Sequence, residues 1–487
     1  MSGFRRGVSL DPVDWEAYRQ LAHRVVNCSL DYLRDVRQRP TWLPVPAGVR
    51  AQLEAPLPLE PDGAERAFAD AIRLVMPFAT GNIHPRFWGW VHGSGTMGGA
   101  LAQLLAAAMN SNVGGRNHGA VYVERQVLQW CRGLFAYPDD SSGILLSGTS
   151  MATLVALAVA RNSGSELDVS NEGLSGAQAM VFFASTEAHA SVQKALELLG
   201  LGRRALHLIG VDQDFRMDLA ELRQAIDRER RAARRPVCVI ATAGTVNTGA
   251  IDDLNAIASI CKAEGLWLHV DGAFGALLTL VPQLASRLRG IEQADSIAFD
   301  FHKWLHVPYD AGCVLIRSRE KHMAAFSSRP DYLQSSPSGL AGGDPWFCDF
   351  GPELSRGFRA LPVWLTIKEH GARRLGEKIL ENCEQAAYLA TRIAEHAELE
   401  LCATVTINIV CFRFLGQHSV APDLDGVNER IVAALQDGGD VVPSATKLRG
   451  RTVIRVAITN HRSRLADFDR LIEQVLACGA RVLETCS

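Results

Sequence analysis

The chain has 487 residues and a mass of 53.0 kDa, and its 50 Lys and Arg against 53 Asp and Glu leave a formal charge of −3. With 47% hydrophobic and 21% charged residues it sits among folded globular proteins, and its length suits two or three compact units. Near-neutrality gives no global positive field for nucleic acid or an anionic bilayer, and the most sustained apolar run, Met151–Ala160, is too short for the roughly 20 residues of a membrane helix. The opening Met-Ser-Gly-Phe-Arg-Arg lacks the apolar stretch of a secretory signal. The expectation is a cytoplasmic protein with neither nucleic-acid nor membrane partners. Eleven cysteines scattered without a C-x-x-C pair predict reduced thiols, and the 14 histidines show no metal-ligand spacing, so no metal is expected.

In chain order, Asp11-Pro12 reads as a helix start, and Tyr18, Leu21, Val25, Cys28, Tyr32 and Val36 recur at helical spacing. From Pro40 to Gly63 the chain is rich in Pro and Leu, too interrupted for a regular element and too apolar for a free linker, so it should lie on a neighbouring surface. Between Gly143 and Arg317, apolar runs alternate with helical patterns: Gly143–Leu146, Met180–Ala184, Pro236–Thr242, Leu266–Val270, Ser296–Phe301 and Gly312–Ile316. Such strands predict a mostly parallel sheet covered on both faces, with ligands at the strands' carboxyl ends. After Gly371 a helical stretch, Ala372–Glu398, leads to Thr406–Phe414 and Thr452–Thr459, a small α+β unit. The fold class is α/β, divided as 1–75 (N-terminal helical and extended segment), 76–370 (large domain) and 371–487 (small C-terminal domain).

The chemistry concentrates after these strands. Lys303 follows the run Ser296–Phe301, where burial disfavours its charge and suits it to act as a Schiff-base nucleophile. Asp271 ends a second apolar run 32 residues earlier, one crossover and one strand away, so acid and amine can emerge at the same sheet edge. Pyridoxal phosphate requires that pair: a lysine for its aldehyde and an acid against its pyridine nitrogen. Gly272 and Ala273 leave room for a flat ring. The stretch Gly143 to Leu157 reads as strand, small polar turn with Thr149 and Ser150, then apolar helix, an arrangement that suits a phosphate. His189 follows another strand, and Thr245 lies in a turn with further hydroxyls.

Taken together, these stretches resemble the group II pyridoxal-phosphate-dependent amino-acid decarboxylases, the family of the aromatic L-amino-acid, glutamate and histidine enzymes. The resemblance runs from about His84 to Asn460 in one order: His84-Pro85-Arg86-Phe87, Met151–Leu157, His189, Thr245, Asp271, His302-Lys303-Trp304, Pro330-Asp331-Tyr332-Leu333 and Arg356 to Trp364. It implies the type I, aspartate-aminotransferase-like fold and a homodimer with sites at the subunit interface, embraced by the N-terminal segment. It further implies that Lys303 holds the cofactor, Asp271 meets the pyridine nitrogen, His189 stacks on the ring and Thr149 with Ser150 holds the phosphate. Thr245 and His302 would line the cofactor, and Tyr332 would donate a proton to the α-carbon.

The stretches containing Trp90, His92, Asn112, Arg116 and His118 resemble the family's substrate pocket but are more polar than in the aromatic enzymes; Asn112 stands where a phenylalanine is expected. The expectation is an amino-acid α-decarboxylase yielding carbon dioxide and an amine, with an aromatic substrate slightly favoured. An acidic substrate paired with Arg116 or His118, a decarboxylation-dependent aldehyde synthase, and a non-decarboxylating pyridoxal enzyme are the alternatives. Gly93-x-Gly95-x-x-Gly98 spells a dinucleotide fingerprint, but no clear strand precedes it and the next acid, Glu124, comes 26 residues on.

Overall fold

The computed structural model describes residues 9–328, 330, 334–416 and 423–484. The first helix, α1, spans Trp15–Arg34. Its cap is Asp14 rather than the expected Asp11, because the Asp14 carboxylate accepts the amides of Glu16 and Ala17 at 2.9 and 3.0 Å. Val36 falls beyond it, in a short 3₁₀ turn. The Pro-rich stretch does contain a regular element, contrary to expectation: α2, Ala47–Leu53, begins directly after Pro46. Thr41 anchors this stretch, donating its amide to the Gly439 carbonyl at 2.7 Å and its hydroxyl to the Asp440 carbonyl at 2.8 Å. Three further helices follow: α3 (Ala64–Leu74), α4 (Met97–Met109) and α5 (Gly119–Leu134).

The large sheet has seven strands: β1 (Ser142–Leu146), β2 (Met180–Ser185), β3 (Leu206–Ile209), β4 (Arg235–Thr242), β5 (Trp267–Asp271), β6 (Ser296–Asp300) and β7 (Gly312–Ile316). Their order is β1-β7-β6-β5-β4-β2-β3. Four pairings are parallel, and β7 runs antiparallel to both neighbours, so β1 and β6 point the same way. Six strands coincide with the apolar runs of the sequence to within one or two residues at either end. The seventh, β3, escapes that reading because it is an edge strand whose residues are only partly buried. Strands β1, β2, β5, β6 and β7 are buried throughout, as expected for a sheet covered on both faces. This is the type I α/β fold.

β1 opens into α6, Thr149–Gly164. A fully buried ion pair fixes β1 from behind: Arg356 contacts both oxygens of Glu124 and the carbonyls of Val113 and Leu145, while the Leu145 amide donates to Glu124. Removing one partner would strand a buried charge at a cost of about 3–5 kcal/mol. A long helix, Ala360–Ala394, breaks at Gly371, whose φ of 73° lies in the left-handed region. It reaches a four-stranded antiparallel sheet, order β10-β11-β9-β8, made of β8 (Leu399–Leu401), β9 (Ile409–Phe414), β10 (Ser444–Leu448) and β11 (Arg451–Ala457). This sheet has its own core around Phe412, Val456 and Phe468, into which Trp88 inserts.

Candidate active site

The carboxyl ends of β1, β2, β4, β5 and β6 open into one cavity of about 470 Å³. Ser147 to Met151 contribute the start of α6, His189 follows β2, Thr242 and Asp271 end β4 and β5, and Asp300, His302 and Lys303 follow β6. Lys303 lies on a single helical turn, Phe301–Trp304. That turn is pinned from both sides: Trp304 Nε1 donates to Asn382 Oδ1 at 3.0 Å, and the Phe301 amide donates to the Ala311 carbonyl at 2.9 Å.

Asp300, which sequence reasoning did not single out, organises the centre. Its Oδ2 lies 2.9 Å from the Lys303 ammonium, and its Oδ1 accepts the Thr149 amide at 2.6 Å. The carboxylate thus joins the lysine to the N-terminus of α6. This arrangement corrects the expectation that burial leaves the amine deprotonated. Burial does pull the Lys303 pKa down, but Asp300, with help from Asp271, outweighs it, and the amine sits above lysine's ordinary value. The signal was legible, since an aspartate three residues before a lysine faces it across one helical turn.

Asp271 is buried and accepts the Ala273 amide at 3.2 Å. Burial raises its pKa, against the lowering influence of the Lys303 and His189 charges, so a cation held opposite it would be strongly favoured. His302 is buried, and its Nδ1 accepts the Ala311 amide at 3.1 Å, which leaves the ring proton on Nε2, 3.6 Å from Asp300. Burial holds its pKa below the usual histidine range. Tyr309 packs against His302 with ring centroids 4.3 Å apart and planes tilted by 35°, and meets His92 edge-on at 6.2 Å. His189 caps the helix Ala190–Leu198, its Nδ1 taking the Ser191 amide at 3.2 Å.

These residues fit pyridoxal phosphate. Among the described residues, the hydroxyls of Thr149 and Thr242 are buried without a hydrogen-bond partner, and both residues line the cavity. Close backbone packing forms the rest of the cradle: a Cβ on Gly312 would sit 2.4 Å from Gly148 Cα and 2.7 Å from Asp300 Oδ1. The N-terminal end of α6, two unpartnered buried hydroxyls, an amine and a buried carboxylate are the complement that a phosphorylated pyridine aldehyde requires.

The profile of the pyridoxal-dependent decarboxylase conserved domain matches residues 46–415. The chain is 31% identical to an aromatic-L-amino-acid decarboxylase of Bacillus atrophaeus, over 96% of each protein. It is a pyridoxal-dependent decarboxylase. A histidine decarboxylase of Drosophila melanogaster is 30% identical over 97% of this decarboxylase and 56% of the fly protein. Among solved structures, Oryza sativa TDC with PLP and tryptamine superimposes with a TM-score of 0.90 at 24% identity, covering 97% of this chain and 99% of that one. The decarboxylase is a carboxy-lyase acting on amino acids, and pyridoxal phosphate is its cofactor.

Of the residues expected at the site, the fold brings Lys303, Asp271, Ala273, His302, His189, Thr149, Ser150, Trp90 and His92 to the decarboxylase's cavity. Thr245 is a correction. It is fully buried, outside the cavity lining, and its hydroxyl meets Thr248 at 2.9 Å and the Ala250 amide at 3.1 Å, so it closes the turn after β4.

Asn112, Arg116 and His118 are also absent from the lining. The Asn112 side chain accepts the amides of Gly114 and Arg356, His118 reaches the Asn112 carbonyl at 3.1 Å, and the Arg116 guanidinium lies over Trp346. Tyr332 lies outside the described residues. The glycine fingerprint serves packing: a Cβ on Gly93 would overlap the His302 carbonyl, and one on Gly98 would overlap Glu369. Phe274 and Tyr309 join the lining unforeseen, Tyr309 because a tyrosine beyond a strand run carries no local mark of its destination.

Proposed function

We propose that this decarboxylase removes the α-carboxylate of an aromatic L-amino acid and releases the amine. The carrying observation is the composition of the cavity wall. Trp90, His92, Phe274 and Tyr309 supply aromatic surface, and Lys303 is the one lysine or arginine among the described lining residues. Among the described residues an acidic side chain would find no arginine there, whereas a flat apolar one would bury its faces against rings.

In this reading Lys303 holds the cofactor covalently, Asp271 faces the pyridine nitrogen, and Thr149, Ser150 and the start of α6 hold the phosphate. The cofactor when bound supplies the electron sink that accepts the charge left by the departing carboxylate. His189 and Ala273 bracket the ring, and His302 is fixed by Ala311 and Tyr309. Tyr332 delivers the proton to the α-carbon, so that the product is amine and not aldehyde. The enzyme works as a cytoplasmic homodimer. Leu101, Leu104, Leu105 and Met109 expose an apolar face on α4, and Trp15 and Tyr18 expose another on α1, larger together than isolated surface residues account for. No helix among the described residues is long and apolar enough to cross a membrane.

The test is a panel of tryptophan, phenylalanine, tyrosine, histidine, glutamate and aspartate, with carbon dioxide, amine, aldehyde and oxygen measured in one reaction. The expected result is amine from the aromatic members at the highest kcat/KM. Preference for glutamate or aspartate, or aldehyde as main product, would overturn it.

A further inference from the structure

A second cavity, of about 420 Å³, lies at the other end of β1. Ser141, Ser142 and Gly143 line it, whereas Ser147 to Met151 line the active cavity, so the two are separated by the length of the strand, about 16 Å. Its walls carry three guanidinium groups, Arg125, Arg132 and Arg319. None of the three forms an ion pair among the described residues. Arg125 donates to the carbonyls of Gly343 and Pro345, Arg132 to those of Asp139 and Ser141, and Arg319 to that of Ser141. A guanidinium has five N–H donors, so most of this capacity is unspent on protein acceptors.

Two buried atoms at the cavity lack hydrogen-bond partners among the described residues: the Ser141 hydroxyl and Arg132 Nε. Ser141 is only 1% exposed, and leaving a buried hydroxyl unpaired is unfavourable unless a ligand or water completes it. The lining acid, Asp344, is occupied by the Ser335 hydroxyl at 2.5 Å and makes no ion pair with the three arginines. Leu128, Phe347 and Phe350, all largely buried, add apolar side chains to the same lining.

We propose that this cavity binds a small oxyanion, carboxylate or phosphate, carried on an apolar body. Arg132, Arg319 and Arg125 take the oxygens, Ser141 donates its hydroxyl, and the two phenylalanines cover the body. Planar guanidinium forks match both oxyanions. The site depends on no residue of the active cavity.

The cofactor-loaded enzyme is titrated by calorimetry with phenyl phosphate, benzoate, inorganic phosphate and, as the uncharged control, benzyl alcohol, while the visible absorption of the bound cofactor is followed. The expected result is saturable binding of phenyl phosphate or benzoate without a change in that spectrum, weaker binding of inorganic phosphate and none of benzyl alcohol. Arg319→Gln, at an exposed position, weakens binding about tenfold or more, and Arg132→Gln does likewise. Should Arg132→Gln fail to fold, Arg319→Gln decides alone. Absence of saturable binding by both aryl probes, equal affinity in the arginine variants, or binding that shifts the cofactor spectrum would overturn the site. Inorganic phosphate binding as tightly as phenyl phosphate would overturn the apolar half of the assignment.

Discussion

Two regions were expected at the active site, strand-end residues for the cofactor and loop residues for the substrate, and the fold treats them differently. Residues at the strand ends of the large sheet, Asp271, Asp300 and Lys303 among them, converge because ladder pairing fixes their register: Asp271 pairs with Ala298, and Asp300 with Gly312. The loop between α4 and α5, with Asn112, Arg116 and His118, has no such ladder and folds back on its own chain through Arg356 and Trp346. A residue placed by a strand end can be assigned from sequence spacing, whereas one on a connecting loop depends on which surface the loop finally meets.

Substitutions can break this contrast. The largest effect belongs to Lys303→Ala, which should abolish turnover and the visible absorption of bound cofactor, since no other lysine among the described residues lines the cavity. Retained absorption, reducible by borohydride onto another lysine, would remove Lys303 from its role. Asp271→Asn should leave the fold intact and reduce kcat by about 100-fold or more, because an amide cannot hold an opposing cation by charge. Wild-type kcat in this variant would contradict the assignment.

Asp300→Asn tests the carboxylate that sequence reasoning passed over. With it, the Lys303 pKa lies above the ordinary value; without it, burial dominates and the pKa falls. In cofactor-free protein, the pH profile for modification of Lys303 by an amine-directed reagent should therefore move to lower pH, and an unmoved profile would show that Asp300 does not set the amine's charge.

The smallest effect is expected for Arg116→Ala. If the α4–α5 loop only packs on its own chain, KM for aromatic substrates should change less than about threefold, within the range of a partly exposed charge. A KM rise confined to glutamate or aspartate would instead return Arg116 to the substrate.

Much of the sheet was legible because its strands are buried on both faces, and unbroken apolar runs such as Ile297–Phe299 have few alternative readings. β3 and β8 were not, since short edge strands with mixed burial look like loops. The cap of α1 was misplaced by three residues because Asp11 and Asp14 carry the same chemistry, and only backbone geometry selects the one whose carboxylate reaches two amides.

The sequence by itself determined six of the seven strands of the large sheet, the lysine and the acid at the ends of two of them and, with the family resemblance, the cofactor, since these follow from local pattern, fixed spacing and motif order. Tertiary structure alone decided that Asp300 joins Lys303 to the start of α6, that Thr245 closes a turn instead of lining the cavity, and that Tyr309 enters it. The reason is physical: a pKa and a contact depend on every group within a few ångströms, and those groups come from strands far apart in the chain.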